Sequence, residues 1–285
     1  TLTGTYSDVL AAASAVGFDG ATNVTVTDPV TALEIYTLQG KVTSGLVTAT
    51  ISDTSASVLL TNNATPRRAG AFTITVANTS PAVSTDSAAA AATKASVSVA
   101  DITALDDITT EVLNVTSPEL RGAIAGTVTL FNRNTPDADS NVTKSISGLE
   151  TIAVTTNDDV TVDQLNKITS KTSGLVTSTT TEASLIGQYV NATTGALLIE
   201  SGNAITVDLD GNAKASELIT LDAATTGVVN LVDAQNTITG SIAEIKTLFA
   251  TADTTTGVAT GTHTIKGIGN AHLTLTDSEL FKPQK

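Results

Sequence analysis

Apolar and polar positions alternate on two periods along this chain, and the clearest stretch runs from Ala215 to Asp277. Leu218 and Leu221 sit three apart, behind Ser216 as a helix N-cap and before Gly227 as a left-handed stop. Val228, Val229, Leu231 and Val232 form a short β-prone run. Ser241 with Glu244 makes a capping box, and Ile242, Ile245, Leu248 and Phe249 then form one helical stripe. After Gly267-Ile268-Gly269-Asn270-Ala271, Leu273 and Leu275 alternate with Thr274 and Thr276, as in a half-buried strand ending at Asp277.

Pieces of this stretch recur along the chain. Thr1-Leu2-Thr3-Gly4-Thr5 matches Thr237–Ser241, with Asp8 in the capping position and Tyr6, Val9, Leu10 and Ala13 as the stripe. Val24 and Val26 make a strand that ends at Asp28, as Asp277 ends the last one. Thr43-Ser44-Gly45-Leu46-Val47 and Thr172-Ser173-Gly174-Leu175-Val176 restate Thr225–Val229. After Ala123–Thr127 the helix is replaced by Val128, Leu130 and Phe131, followed by a polar loop through Pro136 to Asn141. The pattern blurs between Ile51 and Arg121, where Ser87 to Thr93 is nearly pure alanine.

Gly4, Gly126, Gly187 and Gly240 mark corresponding positions in copies of roughly 50–60 residues, a period in the range of repeat architectures. Helices this short cannot stand alone in water, so neighbouring copies must cover one another's apolar faces. The expected fold is a β-rich α/β repeat solenoid, with short strands and short amphipathic helices stacked in successive coils. It forms a single continuous array over residues 1–285, with approximate repeats at 1–50, 51–122, 123–183, 184–236 and 237–285.

Composition narrows the core. Hydrophobic residues are 41% of the chain but aromatics only 3%, with no Cys, Met or Trp, so Val, Ile, Leu and Ala must fill it. Zero cysteine excludes a disulfide framework and a thiolate metal site. Fourteen Lys and Arg stand against 28 Asp and Glu, a net charge of −14 that argues against nucleic acid and leaves divalent cations as partners. No apolar run approaches the ~20 residues that cross a bilayer. The chain begins at Thr1, which suggests a processed chain or a piece of something longer.

Candidate chemistry is sparse. Asp208-Leu209-Asp210-Gly211-Asn212 has the alternating oxygens and glycine of a calcium loop, which makes Asp208, Asp210 and Asn212 the metal candidates. Position 219, where a calcium loop carries its bidentate Glu, is Ile. Asn157-Asp158-Asp159 with Asp163 is a weaker match. His263 and His272, the only histidines, lack a carboxylate partner at metal spacing, and the adjacent Asp106-Asp107 pair reads as a solvated turn more readily than an acid/base pair. No nucleophile elbow, P-loop or dinucleotide fingerprint occurs. Sequons at Asn23, Asn63, Asn78, Asn114, Asn141 and Asn191 are able to accept glycans, although the abundance of threonine explains most of them by chance. The Thr-x-Thr runs are too irregular for a flat ice-binding ladder.

Repeats of this wording, carried by Thr237–Phe249, Gly267–Asp277 and Ala215–Val229, resemble the long Thr/Ala-rich repeats of giant cell-surface and secreted proteins of marine bacteria, especially picocyanobacteria. The resemblance implies an S-layer-like or adhesin-like molecule, in some cases calcium-associated. The resulting expectation is a non-enzymatic extracellular structural or adhesive protein that self-assembles into a surface layer, fibre or filament. It requires no cofactor unless it is calcium, and its partners are further copies of itself, a surface glycan or a host-surface receptor. A phage virion fibre or decoration protein is the alternative. A carbohydrate-active enzyme is least favoured, since the chain offers three Tyr, five Phe and no Trp as sugar platforms.

Overall fold

A parallel strand pair needs a crossover of a dozen or more residues, and here a short helix supplies it. In the computed structural model, Leu2 faces Val24 and Val24 faces Val47, 22 and 23 residues on. Val154 faces Val176, and Val207 faces Val229, again 22 residues on. One strand plus one helix of about two turns fits that length. The repeating element is therefore about half as long as the hydrophobic pattern suggested.

The structure describes residues 1–61, 69–77, 95–133, 146–232, 236–251 and 265–277. Ser87 to Thr93 and His263 lie outside them. Among the described residues the chain is a mixed α/β fold with four mostly parallel sheets of three to seven strands. This corrects the expected β-rich solenoid of successive coils. Among the described residues eight α-helices stand between the strands, and the strands divide among separate sheets. The chain forms two compact units, Thr1–Ala153 and Val154–Lys285.

In the first unit, β1 (Leu2–Gly4), α1 (Tyr6–Ala13), β2 (Val24–Val26), α2 (Ala32–Gln39), β3 (Val47–Thr50), α3 (Ala56–Thr61) and β4 (Ala71–Thr73) alternate. Their strands pair in sequence order, β1-β2-β3-β4. Then follow β5 (Thr75–Val76), β6 (Val97–Ser98), α4 (Val99–Asp106), β7 (Leu113–Val115), β8 (Glu119–Gly122), α5 (Ile124–Arg133) and β9 (Ile146–Ser147). β5, β7 and β9 pair in that order, and β6 pairs with β8. The inward strand positions Val24, Val26, Val47 and Ala49 are buried, as are Ala32, Ile35 and Leu38 on one face of α2. Each large aliphatic side chain buried this way contributes about 1.5–3 kcal/mol. That burial holds eight-residue helices that would be marginal alone.

The sequence reading replaced the helix at Val128, Leu130 and Phe131, but these residues form the middle of α5. Ile124, Thr127, Leu130 and Phe131 share its buried face, and the Thr127 and Thr129 hydroxyls donate to the carbonyls four residues back.

The second unit holds β10 (Ala153–Asp159, from Val154 on), α6 (Val162–Thr169), β11 (Val176–Ser184), β12 (Ala204–Leu209), β13 (Ala213–Lys214), α7 (Ala215–Ala224), β14 (Val229–Leu231), β15 (Thr237–Gly240), α8 (Ile242–Thr251), β16 (Ile265–Lys266) and β17 (His272–Leu275). β10, β11, β12, β14 and β16 pair in that order, and β13, β15 and β17 form a separate sheet. Tyr189 is the largest fully buried side chain, and its hydroxyl donates to Thr180 Oγ1 at 2.7 Å.

Two boundaries shift from expectation. α7 starts one residue before Ser216, and Lys214 occupies the N-cap position, its backbone N–H donating to Glu217 Oε2 at 3.0 Å. Gly227 does not end that helix in a left-handed turn, because Thr225 is the C-cap and is extended. Gly227 is needed for a different reason: a Cβ there would collide with the Ile205 carbonyl of the neighbouring strand. Gly4 and Gly240 do correspond, each closing a strand before a helix, whereas Gly126 lies inside α5 and Gly187 in a 3-10 turn.

Candidate functional site

The polar residues that recur along the chain converge on backbone groups. Each helix start leaves N–H groups without intrahelical partners. At α1, Thr5 Oγ1 accepts from Asp8 N at 3.3 Å. Asp28, arriving after the next strand, accepts from Tyr6 N at 2.7 Å. At α2, Thr31 and Glu34 form a capping box, and Asp53 accepts from Ala32 N at 2.7 Å. At α8, Ser241 and Glu244 exchange bonds, and Asp277 accepts from Ile242 N at 2.7 Å. In all three, one carboxylate belongs to the repeat that follows, so the cap ties successive strand–helix elements together. A carboxylate at a helix N-terminus also complements the helix dipole.

These bonds move one acid. Glu244 is held below its ordinary carboxyl pKa, chiefly because Ser241 N–H donates to it and then because the Ser241 hydroxyl does. At the other helix, partial burial and then the charge of Glu34 raise the Tyr6 phenol, against a side-chain hydrogen bond with Thr37.

The second recurring motif, Thr-[Thr/Ser]-Gly-x-Val, clamps strand starts. Thr225 is 4% exposed, and its hydroxyl accepts from Ile205 N at 2.8 Å and Gly227 N at 2.9 Å while donating to Ile205 O at 2.7 Å. Thr109 makes the same bonds without the motif's glycine, accepting from Phe72 N at 3.3 Å and Glu111 N at 3.0 Å and donating to Phe72 O at 2.6 Å. Thr172 accepts from Gly174 N at 3.0 Å. Asparagines do similar work. Asn203 Oδ1 accepts from Val176 N at 2.9 Å, and Asn236 Oδ1 from Gly211 N at 2.9 Å.

The calcium candidates fall into this network. Asp208 lies on β12, and its Oδ1 accepts from Asn230 Nδ2 of β14 at 2.6 Å. Asn212 Oδ1 accepts from Thr237 N at 2.8 Å. Asp210 is exposed between them. Asp163 pairs with Lys167 on the exposed face of α6 at 2.6 Å. Asp106 and Asp107 both face Arg133, at 3.7 and 3.0 Å, so this adjacent pair brackets a guanidinium. His272 is exposed on β17. Among the described residues no three His, Cys, Asp or Glu side chains converge as metal ligands. Of the sequons, Asn23 accepts from Leu46 N, Asn114 from the Ser147 hydroxyl and Asn191 from Thr193 N and Thr194 N. Asn63, Asn78 and Asn141 lie outside the described residues.

Comparison with protein-family models, curated protein sequences and solved structures returns no match. Among the described residues no helix is long and apolar enough to cross a membrane.

The carboxylates that sequence reasoning left without a role are Asp28, Asp53 and Asp277. For Asp28 and Asp277 the signal was present in the shared endings Val-Thr-Val-Thr-Asp and Leu-Thr-Leu-Thr-Asp, and Asp53 follows the looser Ala-Thr-Ile-Ser-Asp. The second unit also exposes an apolar edge. Leu273 and Leu275 of β17 are each 45% exposed, while the matching inward positions Val24 and Ile238 are 1% exposed.

Proposed function

We propose that this chain is a structural or adhesive element outside the cell that works by associating with further copies of itself rather than by turning over a substrate. The observation that carries the reading is the fate of its recurring polar motifs. Asp28, Asp53, Asp277, Thr109 and Thr225 all bond backbone groups of a neighbouring strand or helix. Such bonds make one strand–helix element dock on the next. The acidic surface, the absence of cysteine and the resemblance to Thr/Ala-rich surface repeats favour a place outside the cell.

Negative-stain electron microscopy of the purified chain, in calcium and after chelation, tests this. Multi-copy assemblies in either condition are the expected result, and isolated single chains in both would overturn the proposal.

A further inference from the structure

The geometry points to one specific interface: the edge of β17 that pairs with no strand among the described residues joins, in parallel, the corresponding edge of β1 of a second copy. This rests on the self-associating reading above and names the surfaces involved.

Backbone direction decides which groups each edge leaves open. Along a strand, successive residues point their N–H and C=O groups to opposite sides. His272 N donates to Asn236 O at 2.9 Å and Thr276 N to Gly240 O at 3.0 Å, so these residues face β15. Leu273 and Leu275 between them direct their N–H and C=O groups to the other edge. On β1, Leu2 N donates to Asn23 O at 2.8 Å and Gly4 O accepts from Thr27 N at 3.0 Å. Thr3 therefore points its N–H and C=O away from β2. The two open edges are of opposite kind. β17 offers the side that β2 turns toward β3, where Val24 N donates to Leu46 O at 2.8 Å. β1 offers the side that β3 turns toward β2.

Register follows from the chain's own pairs. Leu2 faces Val24 and Gly4 faces Val26, just as Ile238 faces Leu273 and Gly240 faces Leu275, so β17 occupies the place that β2 occupies after β1. Asp277 bonds Ile242 N as Asp28 bonds Tyr6 N, both at 2.7 Å, which confirms the equivalence on the helix side. β2 continues by placing Val24 opposite Val47 and Thr25 opposite Thr48. The same step from β17 places Leu273, Thr274 and Leu275 opposite Leu2, Thr3 and Gly4 of the next copy. Thr3 N–H then donates to Leu273 O, and Leu275 N–H to Thr3 O. Leu275 lies between Gly240 on its own chain and Gly4 on its neighbour.

An edge strand with open hydrogen-bonding groups and exposed leucines is a template for pairing. Because the two surfaces differ, the contact is heterologous, and each added copy presents a fresh β17 edge unless the rotation closes a ring. A β-augmentation of this kind takes its affinity from main-chain bonds and its specificity from the alternate side chains.

The chain has no cysteine, so disulfide trapping is clean. Full-length Thr3→Cys and Thr274→Cys chains are oxidised alone and as an equimolar mixture. Adjacent strands hold paired residues within reach of a disulfide. The expected result is a disulfide-linked heterodimer in the mixture and at least about tenfold less dimer in either single-variant sample. A Thr3→Pro chain supplies a second reading. Proline is tolerated where the N–H faces outward from an edge strand, so its circular dichroism should match the parent while self-association weakens at least about tenfold.

Equal cross-linking in the single-variant samples, or no loss with Thr3→Pro, overturns the β17–β1 interface. If the parent chain associates while the mixture gives no heterodimer, this interface is wrong and the self-associating reading stands. If the parent stays monomeric at every concentration, both fall.

Discussion

Replacing Thr225 by valine keeps the side-chain shape and removes one hydroxyl. That hydroxyl is the acceptor for Ile205 N–H at 2.8 Å and Gly227 N–H at 2.9 Å, in a site 4% exposed. A buried donor left without a partner costs about 1–3 kcal/mol. Two are orphaned here, and some relaxation is expected, so Thr225→Val should lose about 2–4 kcal/mol. At roughly 2–4 °C per kcal/mol the melting temperature falls by on the order of 10 °C. Thr225→Ser keeps the hydroxyl and loses one methyl, which costs about 0.8 kcal/mol. Chemical denaturation followed by circular dichroism gives the two values, and amide hydrogen exchange at Ile205 and Gly227 locates the damage. A valine variant within about 0.5 kcal/mol of the parent would refute the clamp, as would a serine variant as damaged as the valine one.

Three further outcomes follow from the same geometry. Gly227→Ala forces a Cβ onto the Ile205 carbonyl and should cost about 1–3 kcal/mol, whereas Gly187→Ala, with nothing within 4 Å, should leave the denaturation midpoint nearly unchanged. Asp28→Ala strips the partner from Tyr6 N and should destabilise by about 0.5–2 kcal/mol, with exchange at that amide accelerating first. The pKa of Glu244 is depressed in the folded chain, so its stabilising effect is present above its ordinary carboxyl pKa and is lost as pH falls through the lowered value. The stability gap between the parent and Glu244→Gln should therefore close on acidification, and a gap that widens toward low pH would have the wrong sign.

Local pairing signals were legible in the sequence, while their period was not. The Ser241–Glu244 capping box and the Thr5–Asp8 pair announced α8 and α1, and the structure forms both sets of bonds. Val24 with Val26, and Leu273 with Leu275, announced strands β2 and β17. The strand-to-strand offset was hidden by unequal crossovers. Val207 and Val229 are 22 residues apart, but Val229 and Ile265 are 36 apart, so glycines spaced at 50–60 residues mixed positions that do not correspond. α5 was hidden because Gly126 is a poor helix former and Thr127, Val128 and Thr129 are β-prone, and burial of Ile124, Leu130 and Phe131 overrides those preferences. The acidic loop at Asp208–Asn212 showed the right elements for an ion, but a one-dimensional pattern cannot show that Asn230 and Thr237 N reach Asp208 and Asn212 from other strands.

Sedimentation velocity of the purified chain over a hundredfold range of concentration reads self-association without a label or a variant. The weight-average sedimentation coefficient should climb with concentration as copies add edge to edge. A single boundary at the monomer value across the whole range would contradict it.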